Sequence, residues 1–202
     1  MDGSADAQGM ADVVDEHVER LRASVLALKA PQAAKRAPAP TSSVYGRAAA
    51  AVPGDAHAAS SREVLNARFR NVETTALMSG TSMVLVVLPT LGAVPADLQR
   101  SMSLLVSAGA VVVMLGPDMP RDVPADRSRP LTLPLRADDA LADEWAILAC
   151  GPAKRVAFLA RRQPDDRWAW LLTRDPVAVS RASTAILERV PFLRLRVPAL
   201  KD

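Results

Sequence analysis

Hydrophobic and polar positions divide the chain into three stretches of different texture. Between residues 11 and 30, apolar residues recur at Val14, Val18, Leu21, Val25 and Leu28, in alternating steps of four and three. That spacing is the narrow seam of a two-helix coiled coil. Asp12, Asp15 and Glu16 stand in the first turn and Lys29 in the last, as the helix dipole favours. Pro31 ends the pattern. The stripe predicts a dimerising helix over 11–30, although a helix docked on its own domain would show the same spacing. Residues 1–9 are small and polar and are expected to be disordered. From 31 to 59 the periodicity vanishes. Pro31, Pro38, Pro40 and Pro53 are mixed with Ala, Ser and Gly, the texture of a mobile linker.

From Ser60 to the end the pattern is that of a folded domain. Ser60 and Glu63 are spaced as a capping box, and Leu65, Phe69, Val72 and Ala76 then share a helical face until Gly80. Met83–Leu88 is a continuous apolar run of strand length, as expected where both faces are covered. Pro95 opens a second helix with Leu98, Met102, Leu105 and Val106 as its stripe. Gly109 ends that helix, and residues 110–115 are again wholly apolar. Strand, helix and strand in so short a span predict a right-handed βαβ crossover. Prolines 117, 120, 124, 130 and 134 punctuate a loop in which 131–135 is expected as a short edge strand. Three further runs, 145–150, 156–161 and 168–173, are joined by turn signals at Gly151-Pro152 and Pro164-Asp165-Asp166. They predict an antiparallel meander. Asp175-Pro176 caps a last helix with Val179, Ala182, Ile186 and Val190 on one side. The fold class is therefore α/β (α+β): a mixed sheet with one βαβ crossover and a C-terminal meander, flanked by helices and preceded by the coiled-coil-like helix.

Composition removes more chemistry than it suggests. Half of the residues are hydrophobic, enough for a full core, yet the aromatics are only three Trp, three Phe and one Tyr. One cysteine excludes a disulfide framework and a Cys-based zinc site, and two histidines exclude most His-based metal centres. Neither a cofactor nor a metal is expected. The net charge of +3 hides a basic end formed by Arg189, Arg194, Arg196 and Lys201. With Arg161 and Arg162 these residues define the alternative reading, a nucleic-acid-associated protein. The apolar stretches 74–96 and 101–117 are broken by glycines, prolines and hydroxyl residues, so no membrane span is expected. With acidic residues where a leader would be basic, a soluble cytoplasmic protein is expected.

Catalytic constellations are hard to build from this sequence. His17 and His57 fall outside the expected domain, and no Gly-x-Ser-x-Gly elbow is present. The turn 89–95 has one glycine and no lysine, too little to cradle a diphosphate. Cys150 closes an apolar strand, the place of an inert core thiol. Acidic residues are more suggestive: Asp138, Asp139, Asp143 and Glu144 precede one strand, and Asp118 follows the second strand of the crossover, where open α/β sheets bind ligands. Asp118 with Glu144 would also be the pair for an enzymatic reading. Trp168 and Trp170 share a strand face and with Trp145 could wall a pocket or form a core cluster.

Several of these features occur together in one family. The segment 110–190 resembles the DICT sensory domain, a bacterial module associated with diguanylate cyclases and two-component systems. The resemblance rests on an apolar strand running into Gly116-Pro117-Asp118, on Leu135, and on Asp139-Ala140-Leu141-Ala142-Asp143-Glu144-Trp145. It continues through Gly151-Pro152, the strand at 157–161, and Leu172-Thr173-Arg174-Asp175. The resemblance implies a noncatalytic sensory or regulatory role, with output passed to a separate signalling protein. On that basis Asp118, Glu144, Trp145, Trp168 and Thr173 are the candidate ligand-binding residues. Val14, Val18, Leu21, Val25 and Leu28 are the candidate homodimer contacts.

Overall fold

The computed structural model describes residues 41–54, 57–59, 61–89, 95–124, 128–152 and 154–190. The elements in chain order are α1 (Val44–Ala49), β1 (His57–Ala59), α2 (Arg62–Met78), β2 (Met83–Val87), α3 (Ala96–Ser107) and β3 (Val111–Gly116). They continue with β4 (Leu131–Pro134), β5 (Glu144–Cys150), β6 (Arg155–Arg162), β7 (Trp168–Thr173) and α4 (Pro176–Leu187). The strands form one mixed sheet in the order β1-β7-β6-β5-β2-β3-β4. The crossover is present: β2 and β3 run parallel and adjacent, with Met83 opposite Val111 and Val87 opposite Leu115. So is the meander, with β5, β6 and β7 paired antiparallel in sequence order. Antiparallel pairing of β5 with β2 joins the two halves. β4 lies parallel at one edge, as its short run predicts.

Every residue of β2 and β5 is buried, because the sheet is covered on both sides. One face packs Leu85, Val87, Leu115, Leu148, Leu159 and Leu171 with Val44 and Ala48 of α1, with Ala178, Val179, Ala182 and Ile186 of the last helix, and with Val190 after it. The other packs Val84, Val86, Met114, Ile147 and Phe158 under α2 and α3. Helix boundaries follow local chemistry. Ser61 caps α2, its hydroxyl accepting from the Val64 N–H, while Ser60 of the expected capping box lies outside the described residues. Asp175 accepts from the Ala178 N–H at 2.8 Å and Pro176 takes the first helical position of α4. Gly80 and Gly109, just past the ends of α2 and α3, have φ of 60° and 90°, where a side chain would be strained.

Residues 43–59 correct the expected linker. Described residues from 41 onward belong to the folded unit, which therefore starts well before Ser60. Val44–Ala49 is helical and buries Val44 and Ala48 completely, and His57–Ala59 pairs antiparallel with Trp168–Trp170 as the other edge strand. Two such short elements cannot announce themselves by periodicity, and a six-residue helix is unstable alone. Tertiary contacts with α4 and the sheet make it. The seam Val14, Val18, Leu21, Val25 and Leu28 lies outside the described residues, as do Arg194, Arg196 and Lys201.

Candidate functional site

Side chains alternate across a strand, and that alternation separates the expected ligand residues. Glu144 and Trp145 are consecutive in β5 and so point to opposite faces. Glu144 is directed toward α1, while Trp145 joins the layer beneath α2. Trp168 is on the Trp145 side, its ring 6.2 Å from that of Trp145 and edge-on to it. Trp145 also stands 5.6 Å from Phe69 and 6.2 Å from Phe158, so these rings fill the interior instead of walling a pocket. Thr173 belongs to the Glu144 face of the sheet, and its hydroxyl accepts from the Asp175 N–H at 3.0 Å, shaping the start of α4. Asp118 is exposed in the turn after β3. The five residues do not converge on one pocket.

The motif residues instead perform structural tasks. A Cβ on Gly116 would stand 2.9 Å from the Leu88 carbonyl oxygen, so the glycine is required by close packing of adjacent backbones. Leu141 is a fully buried plug. Asp139, 7% exposed, accepts from the Leu141 N–H and receives the guanidinium of Arg189 at 2.7 Å. Both side chains of that ion pair are about 5% exposed. Arg189 further donates to the Ser42 hydroxyl, the Ser42 carbonyl and the Ala185 carbonyl. It is therefore an internal clamp, and the sequence reading that placed it in a solvated basic tail is corrected. Beside it, Glu188 takes both Arg47 nitrogens and the Ser42 hydroxyl.

Glu144 completes this arrangement. It is 1% exposed and the first residue of β5. Its Oε2 accepts from the Val44 N–H at 2.8 Å and the Tyr45 N–H at 3.3 Å, and Ser43 Oγ donates to its Oε1. Ser43 Oγ in turn accepts from the Gly46 N–H at 2.8 Å. The carboxylate thus serves the free N–H groups at the start of α1. Burial pushes the Glu144 carboxyl above the ordinary glutamate range, and the bonds from Ser43, Tyr45 and Val44 and the charge of Arg161 only partly offset it. Burial likewise raises Tyr45. For Glu188 burial also opposes ionisation, but Ser42, Arg47 and Arg189 outweigh it and hold that carboxyl low.

Three networks therefore meet on residues 42–47, which the sequence reading left as linker. Their partners lie about a hundred residues or more away in the chain, too far for any local pattern to show. The pair Ser42-Ser43 ahead of Val44 was the available signal, since serine is favoured at a helix start. Cys150 is buried with its thiol pushed up by desolvation and only a long contact, 3.9 Å, to Ser183 Oγ. That is the chemistry of an inert core thiol. Two buried side-chain polar atoms lack a hydrogen-bond partner among the described residues, Glu73 Oε1 and Trp145 Nε1. A groove of about 410 Å³ lies between the C-terminal ends of α2 and α3, lined by Leu77, Thr81 and Leu104 among others. It sits at the opening ends of β2 and β3, away from Asp118. Among the described residues no cluster could hold a metal ion, and no helix is long and apolar enough to cross a membrane.

No protein-family model matches the chain, and no curated protein does. It is similar to a solved structure of TrmBL2, an archaeal chromatin protein with a novel mode of DNA binding, at 14% identity and a TM-score of 0.46. The match covers 93% of this chain and 66% of that one, a likeness too distant to carry fold detail or function across.

Proposed function

We propose that this chain is a noncatalytic sensory or regulatory module of the DICT kind. In this reading the mixed sheet and its helices bind a small molecule or a partner protein. The helix over 11–30 pairs two copies and passes the state of the domain to a separate signalling protein. The observation that carries the reading is the clamped connection at 42–49. The chain reaches the sheet through a short helix fixed by Glu144, Asp139–Arg189 and Arg47–Glu188. A rearrangement of the sheet or of the last helix would therefore displace the segment that leads to the seam. Switching of this kind requires a ligand that prefers one of two states.

Light scattering coupled to size exclusion tests the dimer arm on the full chain. The wild type is expected to elute as a dimer and Val18→Asp with Leu21→Asp as a monomer of unchanged circular dichroism in the β region. A monomeric wild type, or a dimeric double variant, removes the proposed output. The nucleic-acid alternative is weakened because Arg189 is committed to Asp139 and Ser42. Binding to duplex DNA that fell steeply with added salt would nevertheless favour it over sensing.

A further inference from the structure

We infer that residues 42–49 form a proton-linked latch, in which a neutral Glu144 holds α1 on the sheet and an ionised Glu144 loosens it. The inference concerns the folded domain alone and stands whether or not the sensory reading does. Its basis is the hydrogen-bond geometry around one buried carboxyl. Oε2 accepts two backbone N–H groups, which it can do as the carbonyl oxygen of a neutral acid or, more strongly, as half of a carboxylate. Oε1 faces Ser43 Oγ, and a hydroxyl can either donate to a carboxylate or accept from a carboxylic acid. Ser43 Oγ keeps a lone pair for the Gly46 N–H in both cases. Protonation therefore costs the site none of its hydrogen bonds. Burial to 1% exposure penalises only the anion.

The surrounding charges do not reverse this. The titratable and charged groups on the adjoining elements are Arg161 opposite Glu144 on β6, Tyr45 and Arg47 on α1, Asp139 and Asp143 before β5, and Glu188 and Arg189 after α4. Arg161 favours the anion, but its effect is smaller than that of burial. Arg47 is engaged by Glu188, and Arg189 by Asp139 and Ser42. Lifting α1 would return water to Glu144 and lower its proton affinity toward that of an ordinary glutamate, so protons bind the latched state better. Apolar burial adds little to the hold that Glu144, Glu188 and Arg189 keep on this segment. Only Val44 and Ala48 are fully buried on α1, and a helix this short has no stability of its own.

Amide hydrogen exchange followed residue by residue on the full chain, corrected for the intrinsic pH dependence of exchange, tests the latch. In the wild type, protection at 45–50 is expected to fall as pH rises from about 5 to about 8, by at most about tenfold per pH unit, the limit for one proton. Glu144→Gln reproduces the neutral acid, with an amide N–H for Ser43 Oγ and a carbonyl for the two backbone donors. Its protection is expected to be high and flat over the same range, while β2 and β5 exchange as in the wild type. All other titratable groups are identical in both proteins, so the difference between the two profiles isolates Glu144. Equal pH profiles in wild type and Glu144→Gln would overturn the latch, as would wild-type protection that stays constant or rises with pH.

Discussion

The two faces of the sheet are built on different principles. Beneath α2 and α3 the layer is large and aromatic: Phe158 meets Phe69 and Trp145 edge to face, Phe69 lies tilted against Trp145, and Trp168 and Trp170 pack beside them. The Arg68 guanidinium lies over the Trp170 ring at 5.4 Å. Beneath α1 and α4 the layer is aliphatic and finely grained, with Ala48, Ala178, Ala182 and Ala185 all fully buried. Small residues let two helices lie close to each other and to the sheet, but they remove little apolar area from water. The rim of that second face compensates with polar bonds, from Asp139–Arg189, Arg47–Glu188 and Glu144 to α1. One face is held by volume and the other is finished by charge. Conditional behaviour is expected of the second, because a buried polar bond depends on protonation and pairing while a packed ring does not.

Substitutions can break this contrast. Phe158→Ala, which removes a ring at 0% exposure touching both Phe69 and Trp145, is expected to cost about 3–5 kcal/mol in urea unfolding. A cost below about 1 kcal/mol would mean that the aromatic layer is not the stabilising one. On the other face Asp139→Ala strands a buried guanidinium and is expected to cost about 3 kcal/mol. Removing both charges, as Asp139→Leu with Arg189→Met, is expected to cost clearly less than that single change. If the double variant is the less stable of the two, the rim is held by something other than pairing.

The smallest effect is the most diagnostic one. Glu144 has a folded-state proton affinity above that of the unfolded chain. Its contribution is therefore fully present below the ordinary glutamate range and is lost as pH rises through the raised value. Glu144→Gln is expected to differ from wild type by about 1 kcal/mol or less at acid pH and to become relatively more stable toward neutral pH. Denaturation series at several pH values measure this directly. A gap that moves the other way would show that the carboxylate, not the acid, suits the site.

Much of the architecture was legible beforehand. The runs Met83–Leu88 and 110–115 had to be doubly covered strands because nothing polar interrupts them, and Gly80, Gly109 and Asp175-Pro176 marked helix ends by backbone chemistry alone. That the expected ligand residues divide between two faces was readable too. Glu144 and Trp145 are neighbours in a strand and cannot face one pocket. The segment at 42–59 was not readable. Its helix is too short for periodicity, and its strand exists only because β7 offers an edge. Its anchors, Asp139, Glu144 and Arg189, looked like a solvated acidic loop and a basic tail.

What the sequence determined by itself was therefore the set of elements whose hydrophobic pattern is strong enough to outweigh context: the crossover, the meander and the helices that cover them. The strand order, with β5 inserted beside β2, and the conversion of a proline-rich stretch into a clamped helix were decided by the tertiary structure. Local propensities are worth tenths of a kcal/mol per residue, whereas a buried carboxylate or guanidinium must find its partners or forfeit several. Those partners are distant in the chain and become neighbours only once the sheet has assembled.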